Sequence, residues 1–285
     1  MANERAKRRY QTGTATYSVR PPVARPANWV PPRLSVAVMA HPAREQMVDA
    51  LVAKLDRPAT VVWDRISDRW DTGRRSQLAF DPHATHHLVV QDDAMIPNDL
   101  CAGVERACGY LPAGAAMSLY LGAVRPHSGR ISRAVERAGT EVSWIVMRDL
   151  HWGVGVVLPT SIIPALIEAQ DRRTNIVEYD RRMSRWLSSH GVPVWYTWPS
   201  LVSHQHGPSL VAHGDTRHAY QFIGEESSAL DVNLALPALH MPNPRQANTM
   251  QFPRRIGGRP PNPPVRDEAP AEAGAVEGGR GPIGA

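Results

Sequence analysis

Preceded by Pro31-Pro32, the run Leu34-Ser-Val-Ala-Val-Met-Ala40 has the length and β-branched content of a strand. Met47, Val48, Leu51, Val52 and Leu55 then recur at helical spacing, and Thr60-Val-Val-Trp63 predicts a second strand. The chain thus opens as a βαβ unit. His87-Leu-Val-Val-Gln91 predicts a further strand, after which Pro97 opens a helix carrying Leu100, Val104 and Cys108 on one side. Later strands are expected over Ala116-Leu121, Val142-Met147, Gly155-Leu158 and the apolar segment up to Tyr196. Asn175 is expected to cap a helix that runs to about His190 and stops at Gly191. Strands that alternate with helices predict an α/β fold: a Rossmann-like, mostly parallel sheet flanked by helices.

The pattern fades at both ends. Residues 1–33 form a basic, Pro-rich arm with seven Arg or Lys against the single Glu4, and residues 236–285 form a Pro/Gly/Ala-rich tail. Both compositions bury too little apolar surface to fold, which leaves residues 34–235 as the expected domain. Charge changes the picture less than the total of +5 suggests. Residues 34–242 hold 19 basic and 22 acidic side chains, so the excess sits in the arm, where it is either solubilising or able to pair with phosphates. Cys101 and Cys108 read as ordinary helix positions in a reducing compartment. No apolar run approaches a membrane span or a signal-peptide core, so the expectation is cytoplasmic.

Three places carry candidate chemistry. Asp92 and Asp93 end a strand, and hard carboxylate oxygens there can hold a divalent cation beside a nucleotide diphosphate; a solvated turn that caps the next helix is the alternative. His204 and His206 follow another apolar run and can add a nitrogen ligand, a mixed donor set that suits manganese better than calcium, with magnesium also open. Asp180, at the edge of the stripe formed by Ile176, Tyr179, Met183, Trp186 and Leu187, is either a partly desolvated general base or an ion-pair partner of Arg172, Arg173 or a neighbour in Arg181-Arg182. Gly73-Arg-Arg75, read as lying just before a short helix, is either a phosphate or base clamp formed by Arg74 and Arg75 or a solvated loop. Asp149, His151 and Trp152 lie between two strands, where an acceptor can stack or lose a proton; packing explains Trp152 as well.

Taken together, Val36-Ala-Val-Met-Ala-His41, Val90-Gln-Asp-Asp93, Glu178-Tyr-Asp-Arg-Arg-Met-Ser-Arg-Trp-Leu187 and Pro199-Ser-Leu-Val-Ser-His204 resemble a GT-A-fold glycosyltransferase with a DxD-type motif over residues 34–226. The resemblance implies Ala40, His41 and Arg44 near the nucleotide base, Asp92 near ribose or metal, Asp93 and His204 on the metal, and Asp180 at the acceptor. Arg217-His-Ala-Tyr-Gln-Phe-Ile-Gly-Glu225 is similar to a trailing segment of some members. Gln91-Asp-Asp departs from a strict Asp-x-Asp, which leaves the two carboxylates' roles exchangeable, and His206 competes with His204.

The function expected is metal-dependent transfer of a sugar from a nucleotide-sugar donor to an acceptor hydroxyl. The acceptor is either a polysaccharide or lipid-linked glycan or, with the basic arm in mind, a hydroxylated base in DNA of the kind some bacteriophages modify. A nucleotidyltransferase and a non-catalytic nucleotide- or DNA-binding module are the readings from other classes.

Overall fold

The computed structural model describes residues 17–21, 29–123, 128–205 and 218–242; His206, Arg217 and most of both expected tails lie outside them. In chain order the elements are β1 (Ser18–Arg20), β2 (Leu34–Ala40), α1 (Glu45–Lys54), β3 (Thr60–Trp63), α2 (Arg69–Leu78), β4 (His86–Gln91), β5 (Ala94–Met95), α3 (Leu100–Cys108), β6 (Ala116–Ser118), α4 (Ser128–Ala138), β7 (Trp144–Met147), β8 (Gly155–Pro159), α5 (Ile163–Asp171), α6 (Tyr179–Ser189), β9 (Val194–Thr197), β10 (Ser203–His204) and β11 (Ala238–His240).

Nine strands form one sheet in the order β1-β11-β7-β9-β6-β8-β4-β2-β3, and β10 pairs with β5 in a separate ribbon. Following the pairings outward from β2, the strands β1, β2, β3, β4, β6 and β9 run one way, while β8 and the β7-β11 pair run the other. The fold is therefore α/β with a large sheet of predominantly one strand direction and helices on both faces. Strands β2 and β4 lie side by side with Met39 opposite Gln91, so their carboxyl ends open at the same edge. Both are covered on both faces, which is why each reads as an almost unbroken apolar run instead of an alternation.

Two apolar layers sandwich the sheet. Val36, Val38, Leu51, Leu88, Val90, Leu100 and Val104 pack on one side; Ile145, Val156, Leu158, Leu166, Met183 and Leu187 pack on the other. Cys101 and Cys108 belong to the first layer, where burial pushes both thiols up and keeps them unreactive at neutral pH.

Several local expectations are corrected. Gly73, Arg74 and Arg75 lie inside α2, because Asp68 caps it from upstream by accepting from the Trp70 and Asp71 N–H groups at 2.8 and 3.3 Å. The helix expected from Asn175 starts at Tyr179, with Glu178 at its N-cap position. The one expected from Pro97 starts at Leu100, and its first N–H groups are capped from a distance: Asp56 accepts from Cys101 and Ala102 at 2.7 and 2.9 Å. The sheet also extends past 34–235, since Ser18–Arg20 from the arm and Ala238–His240 from the tail pair with each other at its edge.

Candidate functional site

The site begins where β2 and β4 end. Past Ala40 the backbone stays extended at His41, whose ring Nδ1 accepts from the Ala43 N–H (3.2 Å) and caps a short 3-10 turn over Pro42–Arg44. That turn aims two donors across the crevice. The His41 N–H donates to Asp92 Oδ2 at 2.7 Å, and a single nitrogen of Arg44, Nη1, donates to both Asp92 Oδ1 (2.7 Å) and Asp93 Oδ2 (2.8 Å). All three side chains are largely buried, at 15% exposure for Arg44, 6% for Asp92 and 16% for Asp93. Two adjacent buried carboxylates repel, and the shared guanidinium offsets that repulsion. Burial still pushes the Asp92 carboxyl above its ordinary range, against Arg44 and the His41 N–H. Burial also pushes Asp93 up, but His204 and Arg44 outweigh it and hold that carboxyl below the ordinary range.

His204 arrives on the ribbon. Ser203 and His204 pair antiparallel with Met95 and Ala94, and the Gln205 N–H donates to the Asp93 carbonyl at 2.8 Å. This register brings His204 Nδ1 to 3.3 Å from Asp93 Oδ1, in an orientation that leaves the buried Oδ1 without a hydrogen bond among the described residues. These two atoms pair with each other when the imidazole is protonated, and with the imidazole neutral they are the oxygen and nitrogen donors that a divalent cation takes. Adjacent ligands at right angles around a small octahedral cation, with bonds of ~2.1 Å, lie ~3.0 Å apart. The pair would therefore supply two ligands to a divalent ion, were one bound, and that ion would supply positive charge at the carboxyl edge of the sheet. Among the described residues no group of three or more His, Cys, Asp or Glu could hold a metal ion, so Asp93 and His204 stand there as a pair. Asp92 is fixed beside the pair, its two oxygens accepting one hydrogen bond each from the His41 N–H and Arg44.

Beside this pair stands the start of α6. Tyr179 is fully buried between two glycines: a Cβ on Gly73 would lie 2.7 Å from its ring, and one on Gly153 would lie 2.5 Å from its hydroxyl. Its hydroxyl donates to the Gly153 carbonyl and faces Gln91, which fixes α6 against the end of β4 and the loop after β7. The next residue, Asp180, accepts from the Arg181 N–H at 2.7 Å. Burial pushes its carboxyl up to about 6. Among the described residues no ion pair joins Asp180 to Arg172 or Arg173; Arg172 pairs with Glu168 instead.

The loop from Arg148 to Gly153 connects to the pair through aromatic edges. His151 meets Trp152 at 5.4 Å between ring centres, Trp152 meets Tyr120 at 5.7 Å, and Tyr120 meets His204 at 5.3 Å. Tyr196 locks the loop backbone, donating to the Asp149 carbonyl and accepting from the His151 N–H, both at 2.9 Å.

Thus Ala40, His41, Arg44, Asp92, Asp93 and His204 converge, and Asp180 and the Asp149–Trp152 loop are tied to them through Tyr179 and Tyr120. The two arginines of α2 part company. Arg74 turns to the end of α5, where its Nε lies 2.9 and 3.0 Å from the two oxygens of Asp171. Arg75 stays at the sheet edge, bonded to Asp71 (2.8 Å) and to the carbonyl of Trp63, the last residue of β3 (2.9 Å). Sequence reasoning placed Tyr179 in an apolar stripe and gave Tyr120 no role. The glycines at 73 and 153 are the trace of Tyr179's close approach, but nothing local links them to it.

No family model and no curated protein matches the chain. Solved structures do, among them a mutant of Drosophila beta-1,4-galactosyltransferase 7 in complex with manganese, UDP-Gal and xylobiose: 8% identity, 73% of this chain and 92% of that chain covered, TM-score 0.35. At that level the likeness bears on neither chemistry nor ligands, which rest on the side chains described above.

Proposed function

We propose that the chain transfers a sugar from a nucleotide-sugar donor to an acceptor hydroxyl, using one divalent cation, manganese before magnesium, held between Asp93 and His204. The observation that carries this reading is the buried Asp93 Oδ1, without a hydrogen bond among the described residues, 3.3 Å from His204 Nδ1 at the carboxyl edge of the sheet. A bound cation supplies the positive charge that a departing nucleoside diphosphate requires.

The remaining roles follow from placement. The crevice past Ala40 and His41 receives the nucleoside, with Asp92, fixed by His41 and Arg44, presented to the ribose. Arg75, near the end of β3, extends the donor side. Arg74 is held by Asp171 and takes no part. Asp180 accepts the acceptor proton, and Trp152 with His151 and Asp149 walls the acceptor side. A carboxyl whose affinity for protons is raised towards 6 is a stronger base than an ordinary aspartate and is still ionised at neutral pH.

The arrangement favours one cation over two. Among the described residues no group of three or more His, Cys, Asp or Glu could hold a metal ion, and paired-metal attack on a phosphate, as a nucleotidyltransferase uses, needs more ligands than the Asp93–His204 pair supplies. Incubating the full chain with UDP-, GDP- and dTDP-sugars and manganese tests the reading. One donor is expected to release its nucleoside diphosphate, and chelation with EDTA is expected to stop it. Release of pyrophosphate, or turnover indifferent to EDTA, sinks the proposal.

A further inference from the structure

We infer that the cavity of about 780 Å3 walled by Trp198 and Phe222, on segments that lead to Asp93 and His204, is a binding site for an uncharged oligosaccharide, the part of the acceptor remote from the reacting hydroxyl. Its role rests on the sugar-transfer reading; its ligand chemistry does not. The two segments that carry the pair also wall the cavity. Asn98 follows Asp93 by five positions and Pro199 precedes His204 by five, so at ~3.3–3.6 Å per residue either wall lies within ~18 Å of the site. Strands β5 and β10 tie the segments together.

The volume falls within the roughly 300–1,000 Å3 of small-molecule sites. The lining combines the rings of Trp198 and Phe222 with Asn98, Gln221, Asn233 and Glu226, and it includes no Lys, Arg or His. A phosphate-bearing polymer would meet carboxylates there and no cation, which disfavours DNA. Sugars suit the lining: their C–H faces pack on aromatic rings, while hydroxyls donate to carboxylate and amide oxygens and accept from amide N–H groups.

The walls are built, not incidental. Trp198 Nε1 is fixed by the Gly139 carbonyl at 2.8 Å, and Asn98 Nδ2 donates to the Glu226 carbonyl at 3.2 Å. Gln221 and Asp99, both in the lining, occupy the left-handed region at φ 42 and 55, which L side chains seldom adopt. Asp99 is compensated by Ser228 Oγ at 2.5 Å. Gln221 has no side-chain partner among the described residues and faces the cavity at that conformational cost, a pattern found at ligand sites.

Isothermal titration of the full chain with maltotetraose, cellotetraose, xylotetraose and chitotetraose, without donor or metal, tests the site. At least one is expected to bind, with affinity reduced about tenfold or more by Phe222→Ala and by the surface change Glu226→Gln. Circular dichroism checks that both variants fold. Binding of none of the four, or binding that both variants retain, overturns the inference. So does a tetralysine peptide that binds in their stead and is lost in Glu226→Gln. If an oligosaccharide binds here while no nucleotide sugar is turned over, the cavity stands and the transfer reading falls.

Discussion

Asp180→Asn is expected to lower the rate of sugar transfer by about 100- to 10,000-fold, the usual contribution of a positioned general base. Asparagine keeps the size of the side chain and its acceptor for the Arg181 N–H but has no affinity for the acceptor's proton. Donor affinity and manganese binding are expected to persist, since the residue touches neither the Arg44 clamp nor the Asp93–His204 pair. The pH profile carries a second signature. The carboxyl titrates at about 6, and the base acts only when ionised, so the native rate is flat above that value and falls tenfold per unit below it. The acidic limb disappears in the variant. If Asp180 served packing alone, its isosteric amide would leave both the rate and the limb in place.

Arg44→Ala carries the largest expected cost in stability. It leaves Asp92 and Asp93 buried side by side with only the His41 N–H and His204 to compensate them. Removing one partner of a buried ion pair costs about 3–5 kcal/mol. For a folded region of this size, the low end of that range corresponds to a fall in Tm of about 6–12 °C. The sign with pH follows from the carboxylates. Asp93 is held below its ordinary range in the folded chain, so its contribution is present above that range and disappears as pH falls through the depressed folded value. Native and variant Tm should therefore converge in acid. Manganese should recover part of the loss at neutral pH, because a cation at Asp93 replaces the missing charge. A Tm within 1–2 °C of the native value, about what a surface change produces, would show that the clamp is not structural.

Much of the fold was legible because its central strands are covered on both faces. Leu34–Ala40 and Thr60–Trp63 have the bounds the apolar pattern predicts, and β4 differs by one residue. The strands β1, β10 and β11, of two or three residues, were not legible, since they are too short for any period to register and their pairing lies wholly in partners distant along the chain. Helices α4 and α5 were missed although Ile131, Ala134, Val135 and Ala138, and Ile163, Leu166 and Ile167, recur at helical spacing, because arginines interleave the first stripe and Pro164 interrupts the second.

At the site, the residue types were readable and their partners were not. Asp92 and Asp93 read as equivalent oxygen ligands, yet the His41 N–H and Arg44 each bond an oxygen of the first, while Arg44 bonds one oxygen of the second and leaves the other beside His204. Arg44, assigned by resemblance to the nucleotide base, bridges both carboxylates. The separation of Arg74 from Arg75 arises because consecutive helical positions point in different directions, which a loop reading of Gly73-Arg-Arg75 had no way to anticipate.

The most direct measurement is of manganese itself. Electron paramagnetic resonance of the full chain with UDP, GDP or dTDP is expected to show one tightly bound ion per chain. Asp93→Ala and His204→Ala should each weaken that binding strongly, and the double variant should lose little beyond the worse single one, because both residues hold the same ion. Undiminished manganese binding in the double variant would contradict a cation held between Asp93 and His204.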